Sequence, residues 1–357
     1  MIDSSLLLPN YNNEFVLPHT FAHLRKQIDC SRVKLVAVDD GSEDDGLRVL
    51  KEEASRSGFA GVEIIEREHE GIVSALNAGM EAIDTEFTFR IDGDALVMTP
   101  GWIERMKRFL AHPAIGIVGG HTIFDSGLVH GFGRTVLSEY GLHDRGVYPI
   151  EPIGSRTFDF NVWRPFARFP DGAPFECDAV LATCIAYRTE DAKAFGCYDP
   201  RFNPVWIEDD DFGLAMRKHG KKVVVDPSIH ILHKVSIRGS RTPKNEQKAQ
   251  QPVRQMLTAK PWTAFKNDIQ RYFTHALFPR KVNFSPIKGK MFYNQVTTDW
   301  RSGVLSGHYK NWKDKWGFDP LNPLMDSVLD AHFETELCWR YNRELYLKGR
   351  KAIESVV

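Results

Sequence analysis

Residues 33–42 read VKLVAVDDGS, an apolar, β-branched run that stops abruptly at Asp39-Asp40-Gly41-Ser42. Such a run reads as a buried strand that delivers two carboxylates to a turn, with Gly41 permitting the sharp reversal. Outward from it the pattern repeats. Ser5–Leu8 is a short apolar run, and residues 14–28 carry Phe15, Leu17, Phe21, Leu24 and Ile28 at helical spacing. Residues 44–57 form an amphipathic pattern through Leu47, Leu50 and Ala54. Val62–Ile65 is again strand-like, residues 71–83 helical, and Phe87–Ile91 a strand that ends at Asp92-Gly93-Asp94. Strands alternating with helices of about 12 residues predict βαβ units and a mostly parallel sheet flanked by helices. Ligands of such sheets bind outside the carboxyl ends of the strands, where both acidic turns fall.

Further along, a helix is expected over 101–111, strands over 115–118 and 179–187, a short helix over 188–196, a helix from Glu208 to Lys218, and a strand over 222–225. Residues 121–175 are rich in Gly, Pro and aromatics, with weak periodicity. The rhythm ends near residue 240, after which the chain looks mainly helical; the polar, breaker-rich stretch 238–252 marks the boundary.

The chain has 357 residues, 42% apolar and 26% charged, which suits about two domains or one domain with an extension. Collagen-like, disordered and disulfide-scaffold classes are excluded. With no run of 18 apolar residues, no spanning helix is expected. The start MIDSSLLLPNYNN lacks a basic segment and a small-residue cleavage site, and reads as a mature cytoplasmic start. The five cysteines include no CxxC pair, so free thiols in a reducing compartment are expected. Charge is unevenly spread. Residues 1–216 hold 20 Lys and Arg against 35 Asp and Glu, a balance of −15, whereas residues 217–315 hold 21 against 5, a balance of +16. The first block looks built around carboxylates; the second calls for an anionic partner.

Four clusters carry chemistry. Asp39-Asp40 after a strand can accept hydrogen bonds from a base or ribose edge. Asp92-Gly93-Asp94 places two carboxylates where both can face one hard cation, Mn²⁺ or Mg²⁺. Glu208-Asp209-Asp210-Asp211 opens a helix whose dipole offsets part of their repulsion, and a carboxylate held there can act as a general base. His233, at the end of an apolar stretch, can complete a metal site. Each alone is also what a charged turn or a packed histidine looks like; their order along one chain is far more specific.

In that order they resemble the inverting nucleotide-sugar glycosyltransferases of family 2, which have the GT-A fold. The matching stretches are PNYNN (9–13), VDDGS (38–42), Gly71 with NAG (77–79), DGD (92–94), GCYDPRF (196–202), WIEDDDFG (206–213) with Arg217 and Gly220, and Pro227 with His233. The likeness covers about residues 5–240. It implies a nucleotide-sugar-binding half over 1–120 and an acceptor-binding half with the base over 121–240; it does not cover 241–357, which the sequence pattern alone reads as a helical extension, basic to about 315. It further implies a donor site of Pro9, Asn10, Asp39, Asp40, Asn77, Asp92, Gly93 and Asp94, with Asp40 on the base, most often uracil. Asp92, Asp94 and His233 are the implied metal ligands, Asp209 the implied base with Glu208 beside it, and Arg217 a phosphate contact or a brace for the acidic helix start. Asp178 and Trp206 fall on the implied acceptor side. Because the acidic run extends through Asp211, the base is open by one position. The implied reaction is direct displacement at the anomeric carbon of a UDP-sugar by a hydroxyl of a glycan or lipid-linked glycan.

Three readings of the basic block stay open: a surface for anionic lipid near a lipid-linked acceptor, a nucleic-acid surface with a modified base as acceptor, or an internal clamp on the acidic domain. Trp312-Lys313-Asp314-Lys315-Trp316 sets aromatics beside cations, as does the stretch 156–169 with Phe158, Phe160, Trp163, Phe166 and Phe169 among Arg156, Arg164 and Arg168. A non-catalytic nucleotide- or anion-binding protein is the alternative of another class; it predicts loss of the acidic pair or the base, and both are present. Hydride transfer is disfavoured, since no GxGxxG follows the first strand.

Overall fold

The computed structural model describes residues 2–124, 129–131, 133, 173–205, 207–234, 300–316, 351 and 353–356. The aromatic stretch 156–169, Trp206 and most of the extension lie outside the described residues.

The first strand, β1 (Ser4–Asn10), is buried along its whole length. It lies parallel to β2 (Val33–Asp40) on one side and β4 (Phe87–Ile91) on the other, with β3 (Gly61–Arg67) parallel to β2. Alternate side chains of β1 feed opposite layers, as the two-residue period of a strand requires. Leu6 and Leu8 pack with Leu17 and Phe21 of α1 (Leu17–Gln27), Leu50 of α2 (Gly46–Arg56) and Trp102 and Met106 of α4 (Trp102–Leu110). Leu7 faces Val73, Leu76 and Met80 of α3 (Ile72–Ala82) and shares a layer with Phe212 and Met216 of α6 (Glu208–Lys218). Each such leucine, fully withdrawn from water, contributes roughly 2–3 kcal/mol.

Beyond β4 the sheet is mixed. Its order is β3-β2-β1-β4-β9-β6-β10-β5, where β5 is Ala95–Val97, β6 Ile115–Phe124, β9 Cys184–Arg188 and β10 Lys222–His233. β9 runs antiparallel to β4 and β6, whereas β6 and β10 are parallel. Two short strands, β7 (Val129–Gly131) and β8 (Phe175–Cys177), pair with β6 and β10. The helix α5 (Thr189–Ala194) follows β9.

Two expectations need adjusting. The strand expected over 222–225 continues to His233 because irregularities between Val225 and His230 let it resume pairing beyond Pro227. The strand expected over 179–187 forms only from Cys184, since residues 178–183 instead pass under α6. There a Cβ on Gly213 would lie 2.8 Å from Ala179 Cα, so the helix approaches backbone too closely for any side chain. One strand was not expected at all: β5, at the edge of the sheet opposite β3, is too short to show in the sequence pattern.

Two described pieces of the extension rest on this domain. Helix α7 (Trp300–Trp316) lies against the loop before α6, and Ile353 is buried in the layer beneath α1 and α2. Of the five cysteines, Cys30, Cys177, Cys184 and Cys197 are described, and all four are free. No helix among the described residues is long and apolar enough to cross a membrane.

Candidate active site

The carboxyl ends of β1, β2 and β4 bring three expected groups together. Asn10 Nδ2 donates to Asp39 Oδ1 at 2.7 Å, and Asp39 also accepts from the Ser42 backbone N–H at 3.0 Å and its hydroxyl at 2.7 Å. Asp39 is thereby committed to holding the β2 turn against β1. Asp40 accepts from the Gly71 N–H at 2.9 Å and the Glu70 N–H at 3.1 Å, and lies 2.8 Å from His69 Nδ1. The His69 ring is stacked on Tyr11, centroids 4.0 Å apart, which puts two parallel rings beside Asp40. Sequence reading missed both; no spacing links Tyr11 to His69.

The turn after β4 is pinned from three sides. The Gly93 N–H donates to Pro9 O, Thr20 Oγ1 donates to Gly93 O, and the Asp92 N–H donates to Thr183 O. A Cβ on Gly93 would sit 2.9 Å from Asn13 Nδ2 and 3.2 Å from Pro9 O, which accounts for the glycine between the acids. β5 then runs back antiparallel to the end of β10, with Ala95 opposite His233. This pairing sets His233 Nε2 3.2 Å from Asp94 Oδ1. Asp92, Asp94 and His233 are all buried, and their ligand atoms lie within 4.8 Å of one another. Two hard carboxylate oxygens and an imidazole nitrogen, so gathered, fit Mn²⁺ or Mg²⁺ with positions left for phosphate oxygens.

The acidic helix start lies across from this cluster, and its four carboxylates diverge because each residue turns about 100° from the last. Glu208 points inward, its Oε1 3.4 Å from Arg90 Nη2, while its Oε2 is buried without a hydrogen-bond partner. Arg90 Nη2 is also 3.4 Å from Asp92 Oδ1, so one buried guanidinium joins the acidic turn of β4 to the acidic start of α6. Arg90 is 2% exposed and lies with its guanidinium carbon 5.3 Å from the Tyr198 ring centroid. Its signal in the sequence was a charge in the middle of an apolar strand. Burial, reinforced by the Asp209 charge, pushes the Glu208 carboxyl up to about 7, with Arg90 acting against the rise. Asp209 accepts from the Ala182 N–H at 3.3 Å and is the one member of the run that is not buried. Asp211 accepts from Lys315 and from Trp316 Nε1.

Three expected residues are engaged by other parts of the fold. Arg217, about two and a half turns along α6, donates to Glu176 Oε1 at 2.7 Å and to Cys177 O, and its Nε is 2.8 Å from Asp178 Oδ1. Arg217 and Asp178 thus meet each other, at the end of α6 remote from Glu208. Asn77 receives the Tyr198 N–H on its Oδ1 and donates to Tyr198 O, a two-way tie between α3 and the segment that leads to α6. In the described part of the basic block, Lys221 pairs with Asp191, Lys222 with Glu176, and Lys315 with Asp199 and Asp211.

The parallel β3-β2-β1-β4 unit continued by a mixed sheet, with helices on both faces, is a GT-A type fold. Residues 5–161 match the sequence model of glycosyl transferase family 2. It is 32% identical over 119 residues to an undecaprenyl-phosphate 4-deoxy-4-formamido-L-arabinose transferase of Pseudomonas savastanoi pv. phaseolicola (strain 1448A / Race 6), covering 32% of this chain and 34% of that protein. A protein of the same name from Pseudomonas syringae pv. syringae (strain B728a) is 31% identical over 118 residues, again 32% of this chain and 34% of the relative. The match thus spans about a third of the length of these curated relatives. Among solved structures, GalNAc-T7 with UDP, GalNAc and Mn²⁺ aligns over 80% of this chain and 52% of its own, with a TM-score of 0.52 and 15% identity, a likeness of fold.

Proposed function

We propose that this protein is a divalent-metal-dependent, inverting glycosyltransferase that takes a sugar from a nucleoside diphosphate sugar, a UDP-sugar in the first instance, and places it on a hydroxyl of a glycan or lipid-linked glycan. The observation that carries the reading is the pairing of a buried Asp92–Asp94–His233 donor set with a carboxylate-rich helix start, joined through Arg90. The lipid-linked acceptor draws support from the names of the two Pseudomonas relatives.

Each residue then has a task. Pro9 and Asn10 shape the turn beneath the nucleotide, and Asp40, anchored to Glu70 and Gly71, lies at the base end of the pocket. Asp92, Asp94 and His233 would hold Mn²⁺ or Mg²⁺, which when bound neutralises the departing diphosphate as a Lewis acid. Asp209 takes the acceptor proton, because a base must reach an incoming hydroxyl and its three acidic neighbours are buried. Glu208 raises the negative potential behind Asp209, and Arg90 keeps that potential from expelling Asp92. Attack from the Asp209 side on a sugar held from the Asp94 side displaces the diphosphate in line, so configuration inverts and no covalent intermediate is needed.

The test is a thermal-shift screen of UDP, GDP, dTDP, CMP and their common sugars with and without Mn²⁺. A ligand at about 100 times its dissociation constant adds about 2.7 kcal/mol to the native state. For a domain of this size that raises Tm by about 5–10 °C. Wild type should show a manganese-dependent shift with one nucleotide, and Asp94→Asn should lose it. Absence of such a shift with every nucleotide refutes the donor half of the proposal.

A further inference from the structure

Helix α7 does more than cover the domain. Its His308 Nε2 is 3.0 Å from Val205 O, its Asn311 Nδ2 donates to Arg201 O at 2.7 Å, and its buried Trp312 meets Phe202 edge-on. At its end, Lys315 Nζ donates to Asp199 Oδ2 at 2.8 Å and to Asp211 Oδ2 at 2.7 Å. Trp316 Nε1 donates to the other oxygen of Asp211 at 2.9 Å. The loop so gripped, 199–207, leads directly into Glu208 and Asp209. Its far side is tied to the donor half: Pro204 O accepts from the Ile72 N–H, and Asn203 Nδ2 donates to Glu70 O.

Asp211 is 1% exposed, so its carboxylate holds its place only with partners that satisfy it. Both of its oxygens are engaged by α7, a segment about 100 residues away in the chain. Asp211 and Glu208 are i and i+3 on one turn, so a shift of Asp211 moves the whole start of α6. We infer that Lys315 and Trp316 are positioning residues of the active site: by clamping Asp211 they hold the first turn of α6, and with it Asp209 and Glu208, against the acidic turn of β4. The extension is then part of the catalytic unit, and one segment of the basic block acts as an internal clamp. The inference rests on the proposed roles of Asp209 and Glu208 only for its kinetic consequence.

The test uses the full chain with Trp316→Phe, which keeps the ring and removes the donor, together with Lys315→Met and Lys315→Arg. Amide hydrogen exchange is followed at residues 207–212, with β1 and α3 as internal controls. Trp316→Phe and Lys315→Met should speed exchange there by at least about tenfold over the controls, and Lys315→Arg should restore protection. With whichever donor supports turnover, kcat should fall about 10- to 100-fold while donor KM stays within about twofold, since misplacing a reacting group by about 1 Å costs that much. Unchanged exchange at 207–212 overturns the clamp, and faster exchange with unchanged kcat overturns its role in positioning. If wild type transfers no sugar from any donor, the proposed function fails, and the exchange result alone decides whether α7 holds the helix start.

Discussion

Replacing Glu208 by glutamine isolates the electrostatic cost built into the helix start. The carboxyl titrates at 4.5 when unperturbed and at about 7 in the fold, with burial the first cause and the Asp209 charge the second. The folded protein therefore holds a proton that the unfolded chain gives up. Stability from this group is fully present below pH 4.5 and is lost as pH rises through about 7. At about 1.4 kcal/mol per pH unit of separation, the loss across that window is about 3 kcal/mol. Glutamine does not titrate. It removes one of two carboxylates beside Arg90, which shifts stability by an amount that does not vary with pH, and it removes the slope. Urea denaturation of both proteins at pH 5, 6, 7 and 8 in EDTA reads this directly, since a metal at Asp92 would itself favour the ionised form. The variant should gain about 2.5 kcal/mol on wild type between pH 5 and pH 8. A difference that stays constant within about 1 kcal/mol over this range would refute the assigned burial cost.

Loss of His233 should act on metal alone. His233→Ala should weaken Mn²⁺ binding by at least about 100-fold, more than the loss of a supporting group around a metal ligand, with the ion titrated calorimetrically in the presence of UDP. Gly71→Ala should fail to fold or lose several kcal/mol, because Gly71 has φ +115° and a Cβ there would lie 2.5 Å from Pro204 Cα; circular dichroism melts report it. Asn77→Ala should cost about 2–4 kcal/mol by leaving both Tyr198 backbone groups unpaired. It should leave UDP affinity within about twofold, because both polar ends of Asn77 are committed to Tyr198; a large loss of affinity would instead return Asn77 to the donor pocket.

The parallel half of the sheet was legible because local rules are enough for it. Each strand of the β3-β2-β1-β4 unit is an apolar run closed by a turn, each helix shows its stripe, and the sheet rule places Asp39-Asp40 and Asp92-Asp94 at one edge without further information. The mixed half of the sheet was less legible, since it depends on long-range pairing. Nothing local says that β10 resumes after Pro227, yet that continuation is what carries His233 to Asp94. The resemblance left Arg217 either on phosphate or bracing the acidic helix start, and a motif does not say which acids fold beside it; Glu176 and Asp178, some 40 residues earlier, pair with it through β8 and the segment after it. Asp39 and Asn77 were read as ligand contacts from their motifs, and both spend their hydrogen bonds inside the fold.

The acidic run shows most plainly what sequence order alone leaves out. Four adjacent carboxylates look like one concentrated charge, and on an extended chain they would repel as one. Wound into the first turn of a helix they point in different directions and acquire different neighbours. Glu208 meets Arg90 and the metal-facing turn, Asp209 an amide of the 179–183 segment and the open side, and Asp211 a lysine and an indole from the far end of the chain. Burial raises the carboxyls of both outer members, Glu208 to about 7 against Arg90 and Asp211 against Lys315 and the Trp316 hydrogen bond, but only Asp211 has both oxygens held, by α7. A helix start with one end strained and the other clamped keeps its middle residue, Asp209, fixed in place without enclosing it. That is what a base needs if it is to meet an acceptor arriving from solvent, and it gives the basic extension a reason to be attached to an acidic domain.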